Sequence, residues 1–151
     1  QLRAKQKAKR IYGVQETQFK NYYLKAKTLK GLVGDNLLTL LERRLDNVLY
    51  LAGLALSRSS AKQLISHGHI SVNGKVMDIP SYQVKVKDVV ALDSKIADKI
   101  GDVPGIEADY ATKTWLDLNK KDLTVKVISD PVKEEIGNDI DINLIIEYYS
   151  R

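Results

Sequence analysis

One stretch of the chain concentrates the side chains that could do chemistry. Between Ser57 and Val76 it carries hydroxyls, cations and both histidines, among them Arg58, Lys62, His67, His69 and Lys75. Guanidinium and ammonium groups bind phosphates through charge-assisted hydrogen bonds, and nearby hydroxyls add to such contacts. The two histidines are a weak metal signal, because zinc normally takes four N or S ligands and the chain has no Cys. The stretch therefore favours the binding of a polyanion over catalysis.

The rest of the sequence adds no catalytic pattern. A G-x-S-x-G elbow, a Walker loop and a G-x-G-x-x-G turn are all missing from the sequence. The three serines near the start of the stretch have no nearby histidine and are typical of capping and phosphate-contact residues. We expect a protein that is not an enzyme and has no metal site and no cofactor.

Local patterns predict how the stretch folds. Ser57 can cap a helix in which Ala61, Leu64 and Ile65 form the buried face. Gly68 can close that helix in the left-handed conformation. A strand then alternates with period two, and Asn73-Gly74 is the strongest short signal for a hairpin.

Two amphipathic helices are predicted before this stretch, and they end at Gly13 and Gly31. The spacing of the aromatic residues in the second helix favours a role in the hydrophobic core over stacking on bases. A longer helix is predicted from Gly34-Asp35 to about Ala52. Arg43 on this helix could face the surface, and the alternative is an ion pair with Glu42, Asp46 or another segment. After the stretch, strands are predicted at Val84 and Val86, at Val89–Leu92, at Trp115–Leu118 and from Leu123. A final helix after Asp141 carries an apolar stripe that needs a partner, and the first helices are the natural one.

Charge is distributed unevenly along the 151 residues. Residues 1–30 carry a formal charge of +8, residues 31–100 carry +2, and residues 101–151 carry −5. A basic end indicates contact with a polyanion, and the alternative is a solvated tail. No apolar run approaches the roughly 20 residues that span a bilayer, so we expect no membrane partner. The chain begins with Gln1 rather than Met, and we expect a preceding segment to be missing.

The stretch resembles the small RNA-binding module named after ribosomal protein S-four: Ser-Arg, a small residue, a basic residue, Leu-Ile, Gly, a strand and Val-Asn-Gly-Lys. The flanking sequences KAKRIYGVQETQF, LLTLLERRLDNVLY, IPSYQVKVKD, TWLDL and INLIIEYYSR are similar, in the same order, to the bacterial-type S-four family of small-subunit ribosomal proteins. The resemblance implies an α+β fold, in which a helical domain (1–40 and 133–151) holds an inserted domain (41–132) of antiparallel sheet packed on helices. The module itself covers residues 42–106.

The same resemblance implies the function and the contact residues. It implies a structural protein that binds a multi-helix junction in the 5′ domain of 16S rRNA early in assembly, supports translation and its accuracy, and lies beside protein S-five in a cytoplasmic ribosome. Shape and backbone contacts are expected to select the RNA, since A-form grooves hide base edges. The RNA-binding residues predicted in this way are Arg3, Lys7, Arg10, Lys20, Lys27, Arg44, Arg58, Lys62, His67, Asn73 and Lys75. For Arg58 the alternative is an ion pair with Asp88 or Asp93.

Two other functions fit the module alone. RNA-modifying enzymes carry it as an appendage, but they need a further catalytic domain for which this chain has no spare residues. A stress factor that binds the stalled large subunit would not need the segments around residues 7–19 and 142–151. No small-molecule substrate is expected in either the leading interpretation or the stress-factor alternative.

Overall fold

The computed structural model describes residues 1–101, 103–137 and 139–150, so Asp102, Asn138 and Arg151 lie outside the described residues. The described helices, in chain order, are α1 (Leu2–Tyr12), α2 (Glu16–Thr28), α3 (Val33–Glu42), α4 (Leu45–Leu51), α5 (Arg58–Ser66), α6 (Ser94–Ile100) and α7 (Ile142–Tyr149). The strands are β1 (Ile70–Val72), β2 (Lys75–Val76), β3 (Val89–Leu92), β4 (Leu116–Asn119) and β5 (Thr124–Val127). Short 3-10 turns occupy Pro104–Ile106 and Lys133–Glu135. The predicted α+β fold is confirmed.

The chain divides into two compact units. Residues Gln1–Glu42 and Lys133–Arg151 form the helical unit, and Arg43–Val132 form the sheet unit. Among the described residues, no helix combines the length and the apolar character that a membrane crossing requires.

The helical unit is held together by contacts between the two ends of the chain. Its core contains Ala8, Tyr12, Phe19, Leu37, Leu41 and Ile145, all of them buried. Tyr149 stacks on Tyr23 with ring centroids 4.7 Å apart and lies 6.2 Å from the ring of Phe19. The Asp141 side chain caps α7 by accepting a hydrogen bond from the backbone amide of Leu144. The prediction that the last helix packs on the first ones is confirmed.

The sheet unit packs α4 and α5 against an antiparallel sheet with the strand order β2-β1-β3-β5-β4. Its register pairs Ile70 with Leu92 and Val90 with Val125, which places alternate apolar side chains in the core. Leu45, Val48, Leu49, Ala61 and Ile65 cover that face from the helices. Burial of one face of each strand and one stripe of each helix is the usual way such a layer is stabilised.

The prediction of one long helix from residue 34 to 52 was wrong. Helix α3 ends at Glu42, and Arg44 is extended (φ −64°, ψ 139°) and forms a β-bridge with Gln83. The amides of Leu45 and Asp46 donate to the carbonyls of Tyr82 and Pro80, at 2.9 and 3.1 Å. Because a new helix leaves its first amides without intrahelical partners, this neighbouring loop stabilises a restart that helical periodicity could not reveal.

The predicted strands at Val84 and Val86 were also wrong. Val84 donates its amide to the carbonyl of Arg43, but it lies outside the sheet, and Val86 begins a tight turn. Lys87 has a φ of 82° in that turn, which is uncommon for a residue with a side chain. Val84 and its neighbour Gln83 brace the start of α4 instead, since Val84 bonds to Arg43 and Gln83 bridges to Arg44.

A close backbone approach fixes the other end of α4. The amide of Gly105 donates to the carbonyl of Gly53 at 2.8 Å, and a Cβ atom on Gly105 would lie 2.7 Å from the carbonyl oxygen of Ala52. The Tyr110 hydroxyl donates to the carbonyl of Leu51 at 2.6 Å. Helix α4 is therefore held at both ends, and it carries the residues that organise the site described next.

Candidate nucleic-acid interface

Helix α5 begins at a fixed position. The Ser57 side chain accepts a hydrogen bond from the Ser60 amide at 3.0 Å, and the Ser60 hydroxyl oxygen accepts one from the Ser57 amide at 3.1 Å. This reciprocal capping box stabilises the first turn, where Arg58 is the first helical residue. The predicted cap, the positive φ of Gly68 (81°) and the Asn73-Gly74 turn (φ 53° and 84°) are all confirmed.

Arg58 is half-buried and lies against α4. Its Nε donates to Oδ1 of Asn47 at 2.9 Å, and its guanidinium carbon lies 4.6 Å from the centroid of the Tyr50 ring. The alternative expected for Arg58 was an ion pair with Asp88 or Asp93, whereas the partners found are Asn47 and Tyr50. Both lie on α4, three residues apart, a spacing that places them on the same side of a helix.

Arg44 and Lys62 meet at one buried carboxylate. Asp46 is fully buried, and its Oδ2 lies 2.8 Å from Nη2 of Arg44 and 2.9 Å from Nζ of Lys62. The Lys62 side chain keeps 29% of its surface exposed, whereas that of Arg44 keeps 3%. We refer to Arg44, Asp46 and Lys62 as the Asp46 cluster.

This geometry corrects the expectation for Arg44. Its guanidinium also donates from Nε to Oδ1 of Asp46 at 3.1 Å, so the pair is bidentate and enclosed. Arg44 offers almost no surface to a phosphate, and its role is to neutralise the Asp46 carboxylate within the protein. The ion pair with Asp46 that was the alternative for Arg43 is formed by Arg44. Arg43 itself donates to the carbonyl of Val84 at 2.9 Å.

Asn73 is exposed and also has a structural role. Its side-chain amide donates to Asp88 and its side-chain oxygen accepts from the amide of Val89, both at 2.9 Å. Asp88 further accepts from the Tyr82 hydroxyl and the Lys85 amide, at 3.1 and 2.9 Å. Burial by itself raises the pKa of Asp88, but these hydrogen bonds and the charge of Lys85 outweigh it and hold the pKa below its ordinary value. Asn73 thus ties the hairpin to the following turn.

The remaining residues predicted in the module lie at the surface. His67 and Lys75 are exposed, and His69 is half-buried with its ring 6.4 Å from that of His67. Across the described ranges, no group of three or more His, Cys, Asp or Glu residues is arranged to hold a metal ion.

Helix α1 of the helical unit presents a row of cations. Arg3, Lys7 and Arg10 are all exposed, follow one another at helical spacing and line a shallow groove together with Leu2 and Gln6. On α2, Lys20 and Lys27 are exposed two turns apart, and Nζ of Lys27 lies 5.6 Å from the ring of Tyr23. Phe19 and Tyr23 are buried, so the interpretation of these aromatics as core residues is confirmed.

Lys5, one of the basic residues of the first helix, differs from its neighbours. It is 4% exposed, and its Nζ lies 2.9 Å from the Glu16 carboxylate and 4.3 Å from the Tyr148 ring centroid. Burial by itself lowers its pKa, but Glu16 and Tyr148 outweigh burial and raise the pKa above its ordinary value. The burial of Lys5 could have been recognised from its helical spacing with Ala8 and Tyr12, since these three residues form the buried side of α1.

Two family models match the chain, and the boundary between them falls between Glu42 and Arg43, where the helical unit gives way to the sheet unit. Residues 43–90 match the S4 domain family, and residues 1–42 match the ribosomal protein S4/S9 N-terminal domain. The fold and its basic helix α5 thus define a protein of the S4-domain class.

Similarity to individual proteins extends over the whole chain. Small ribosomal subunit protein uS4 of Clostridioides difficile (strain 630) is 50% identical over 153 residues, covering 100% of this chain and 73% of that protein. Small ribosomal subunit protein uS4 of Caldicellulosiruptor bescii is 50% identical over 154 residues, with 100% and 74% covered. That of Thermodesulfovibrio yellowstonii is 45% identical over 153 residues, with the same coverage of 100% and 74%. The chain belongs to the uS4 family of small ribosomal subunit proteins.

Proposed function

We propose that this protein is a structural, non-catalytic component of the small ribosomal subunit that binds 16S rRNA. The observation that carries the proposal is the match of the whole chain to uS4 proteins at up to 50% identity. A ribosomal role is favoured over a fragment of an RNA-modifying enzyme, because residues 1–42 match a domain of ribosomal proteins rather than a catalytic one.

The proposed RNA contacts come from both units. On the helical unit they are Arg3, Lys7, Arg10, Lys20 and Lys27, all of which are exposed. On the sheet unit they are Arg58, Lys62, His67, Asn73 and Lys75, while Arg44 leaves the set because its side chain is enclosed and only 3% exposed. Each phosphate neutralised by such a cation releases condensed counterions, which favours binding.

The finer expectations are part of the proposal. The RNA target is a junction of several helices in the 5′ domain, bound early in assembly, and the role supports translation and its accuracy. Protein S-five is a proposed neighbour, and the ribosome is proposed to be cytoplasmic. The two units are proposed to be separable domains, the sheet unit being inserted into the helical one.

Salt dependence of RNA affinity tests this function. With a transcript of the 16S 5′ domain, the logarithm of the association constant should fall with log salt by about 0.9 per neutralised phosphate, for about six to ten phosphates. Lys7→Ala should weaken binding and lower the slope by about one unit. Lys121→Ala is the matched control, since Lys121 is also exposed but lies in the acidic last third of the chain.

Two results would contradict the proposal. One is a salt slope near zero on the 5′ domain transcript. The other is an equal loss of affinity in the Lys7 and Lys121 variants, which would indicate a general charge effect instead of a defined surface. If neither result is found, protection of the transcript backbone by the wild-type protein would locate the bound junction.

A further inference from the structure

The orientation of Arg58 is set from outside its own helix. Asn47 is fully buried on α4 and accepts the hydrogen bond from Nε of Arg58 at 2.9 Å. The ring of Tyr50, one turn further along α4, lies 4.6 Å from the guanidinium carbon. The hydrogen bond fixes one edge of the guanidinium, and the ring lies beside the same group.

The backbone on both sides of this contact is also fixed. The Ser57–Ser60 capping box holds the first turn of α5, from which the Arg58 side chain departs. The hydrogen bonds of Leu45 and Asp46 to the loop, and that of Tyr110 to Leu51, hold the two ends of α4. An arginine has many rotamers, and binding costs conformational entropy for each such side chain that becomes ordered. A guanidinium held in place before binding avoids part of that cost.

We infer that Asn47 and Tyr50 are positioning residues, which orient the Arg58 guanidinium for a phosphate of the RNA. The inference rests on the proposed function, and it adds two residues that do not themselves need to contact RNA. Both are uncharged, so their effect on affinity differs in kind from that of the lysines and arginines. A planar guanidinium grips phosphate through two parallel bonds only in a defined orientation, which makes its positioning consequential.

A double-mutant cycle on RNA affinity tests the inference. The variants are Tyr50→Leu, Arg58→Ala and the two combined, each measured with the 16S 5′ domain transcript and corrected for the folded fraction by thermal unfolding. Tyr50→Leu leaves the charge unchanged and should weaken binding about 3- to 10-fold, the scale of a cation–π contact. In the Arg58→Ala background the same change should cost nothing.

Conservative variants sharpen the result. Tyr50→Trp keeps an aromatic face and should retain affinity near that of the wild type, while Tyr50→Leu does not. Asn47→Leu repeats the cycle for the hydrogen bond. Because Tyr50 is 37% exposed and is not among the core residues of the sheet unit, the Tyr50 cycle decides the inference even where the Asn47 variant does not fold.

The outcomes separate this inference from the function on which it rests. An equal loss on Tyr50→Leu in both backgrounds would overturn the inference, because Tyr50 would then contact the RNA itself. No loss in either background, or wild-type affinity in Arg58→Ala, would also overturn it while leaving the proposed function in place. Failure of the wild-type protein to bind the transcript would overturn the proposed function.

Discussion

Each unit of the protein holds a carboxylate between two cations. The two arrangements differ in how deeply the carboxylate is buried and in how far apart its partners lie along the chain. In the sheet unit, Asp46 is fully buried and pairs with Arg44, two residues away. In the helical unit, the Glu16 side chain is 44% exposed, lies between Lys5 and Lys9, and accepts a hydrogen bond from Tyr149, 133 residues away. We call Lys5, Lys9, Glu16 and Tyr149 the Glu16 cluster.

The difference indicates what each cluster does. The Asp46 cluster joins nearby residues at the start of α4 and holds the side chain of Lys62, one of the proposed RNA contacts. The Glu16 cluster joins the first helices to the last and helps to close the helical unit. Contacts between distant parts of a chain form only after the entropy of closing the loop has been overcome, and the aromatic stacking of Tyr149 and the burial of Ile145 contribute to offsetting it here.

The largest expected effect comes from removing residues 142–151. This truncation removes the buried Ile145 and the ring of Tyr149 that stacks on Tyr23, which leaves the apolar sides of α1–α3 uncovered. We expect the amides of Phe19 and Tyr23 to lose their protection from hydrogen exchange, while those of Val90 and Val125 in the sheet keep theirs.

Single substitutions in α7 provide the matched control. Ile145→Ala should destabilise the helical unit by about 2–5 kcal/mol, the range for truncating a buried aliphatic side chain. The adjacent Leu144 is 36% exposed, and Leu144→Ala should have a much smaller effect. Full protection around Phe19 in the truncated protein would show that the helical unit does not depend on α7.

A smaller but still large effect is expected for Asp46→Asn. The substitution keeps the shape but leaves the charge of Arg44 buried without its carboxylate, which typically costs about 3–5 kcal/mol. Glu16→Gln is the comparison in the other unit. Because the Glu16 side chain is 44% exposed whereas Asp46 is fully buried, screening by solvent should make the cost of Glu16→Gln smaller than that of Asp46→Asn. Denaturant unfolding followed separately in the two units measures both, and equal costs would contradict the distinction between the clusters.

The sequence predicted the parts of the fold that depend on neighbouring residues. Ser57, Gly68 and Asn73-Gly74 have conformational preferences of their own, so the cap, the helix end and the hairpin could be placed from pattern alone. The break at Arg43 and Arg44 could not, because it depends on hydrogen bonds to a loop some 40 residues further along the chain.

The candidate site divides in the same way. Exposed cations such as Arg3, Lys7 and Arg10 were predictable from their spacing on a helix. The burial of Arg44 and the bracing role of Asn73 were not, since their partners become neighbours only in the folded chain. Asn47 and Tyr50 lie three residues apart within the predicted long helix, but nothing in the sequence pattern connects them with Arg58.

The smallest expected effect concerns acid pH and compares Glu16 with Asp88, a carboxylate of the sheet unit. Burial by itself raises the pKa of Glu16, but hydrogen bonds from Lys5, Lys9 and Tyr149 and the charge of Lys5 outweigh it and lower the pKa below its ordinary value of 4.5. The pKa of Asp88 is likewise lowered, chiefly by hydrogen bonds from the uncharged amide of Lys85 and side chains of Asn73 and Tyr82. A carboxyl group with a lowered pKa in the folded state stabilises the fold above its unfolded pKa. That contribution is lost as the pH falls through the folded pKa.

The helical unit should therefore lose stability below about pH 4.5 and the sheet unit below about pH 3.8, and salt should distinguish the causes. Ion pairs that reach solvent are screened at high ionic strength, whereas hydrogen bonds between uncharged donors and a buried carboxylate are screened much less. We expect 1 M salt to flatten the acid dependence of the helical unit more than that of the sheet unit. Unfolding measured between pH 6 and pH 2 at low and high salt provides the test, with Glu16→Gln and Asp88→Asn as matched variants. Glu16→Gln should remove the salt-sensitive part alone, and an unchanged acid profile of the helical unit in that variant would show that another group carries it.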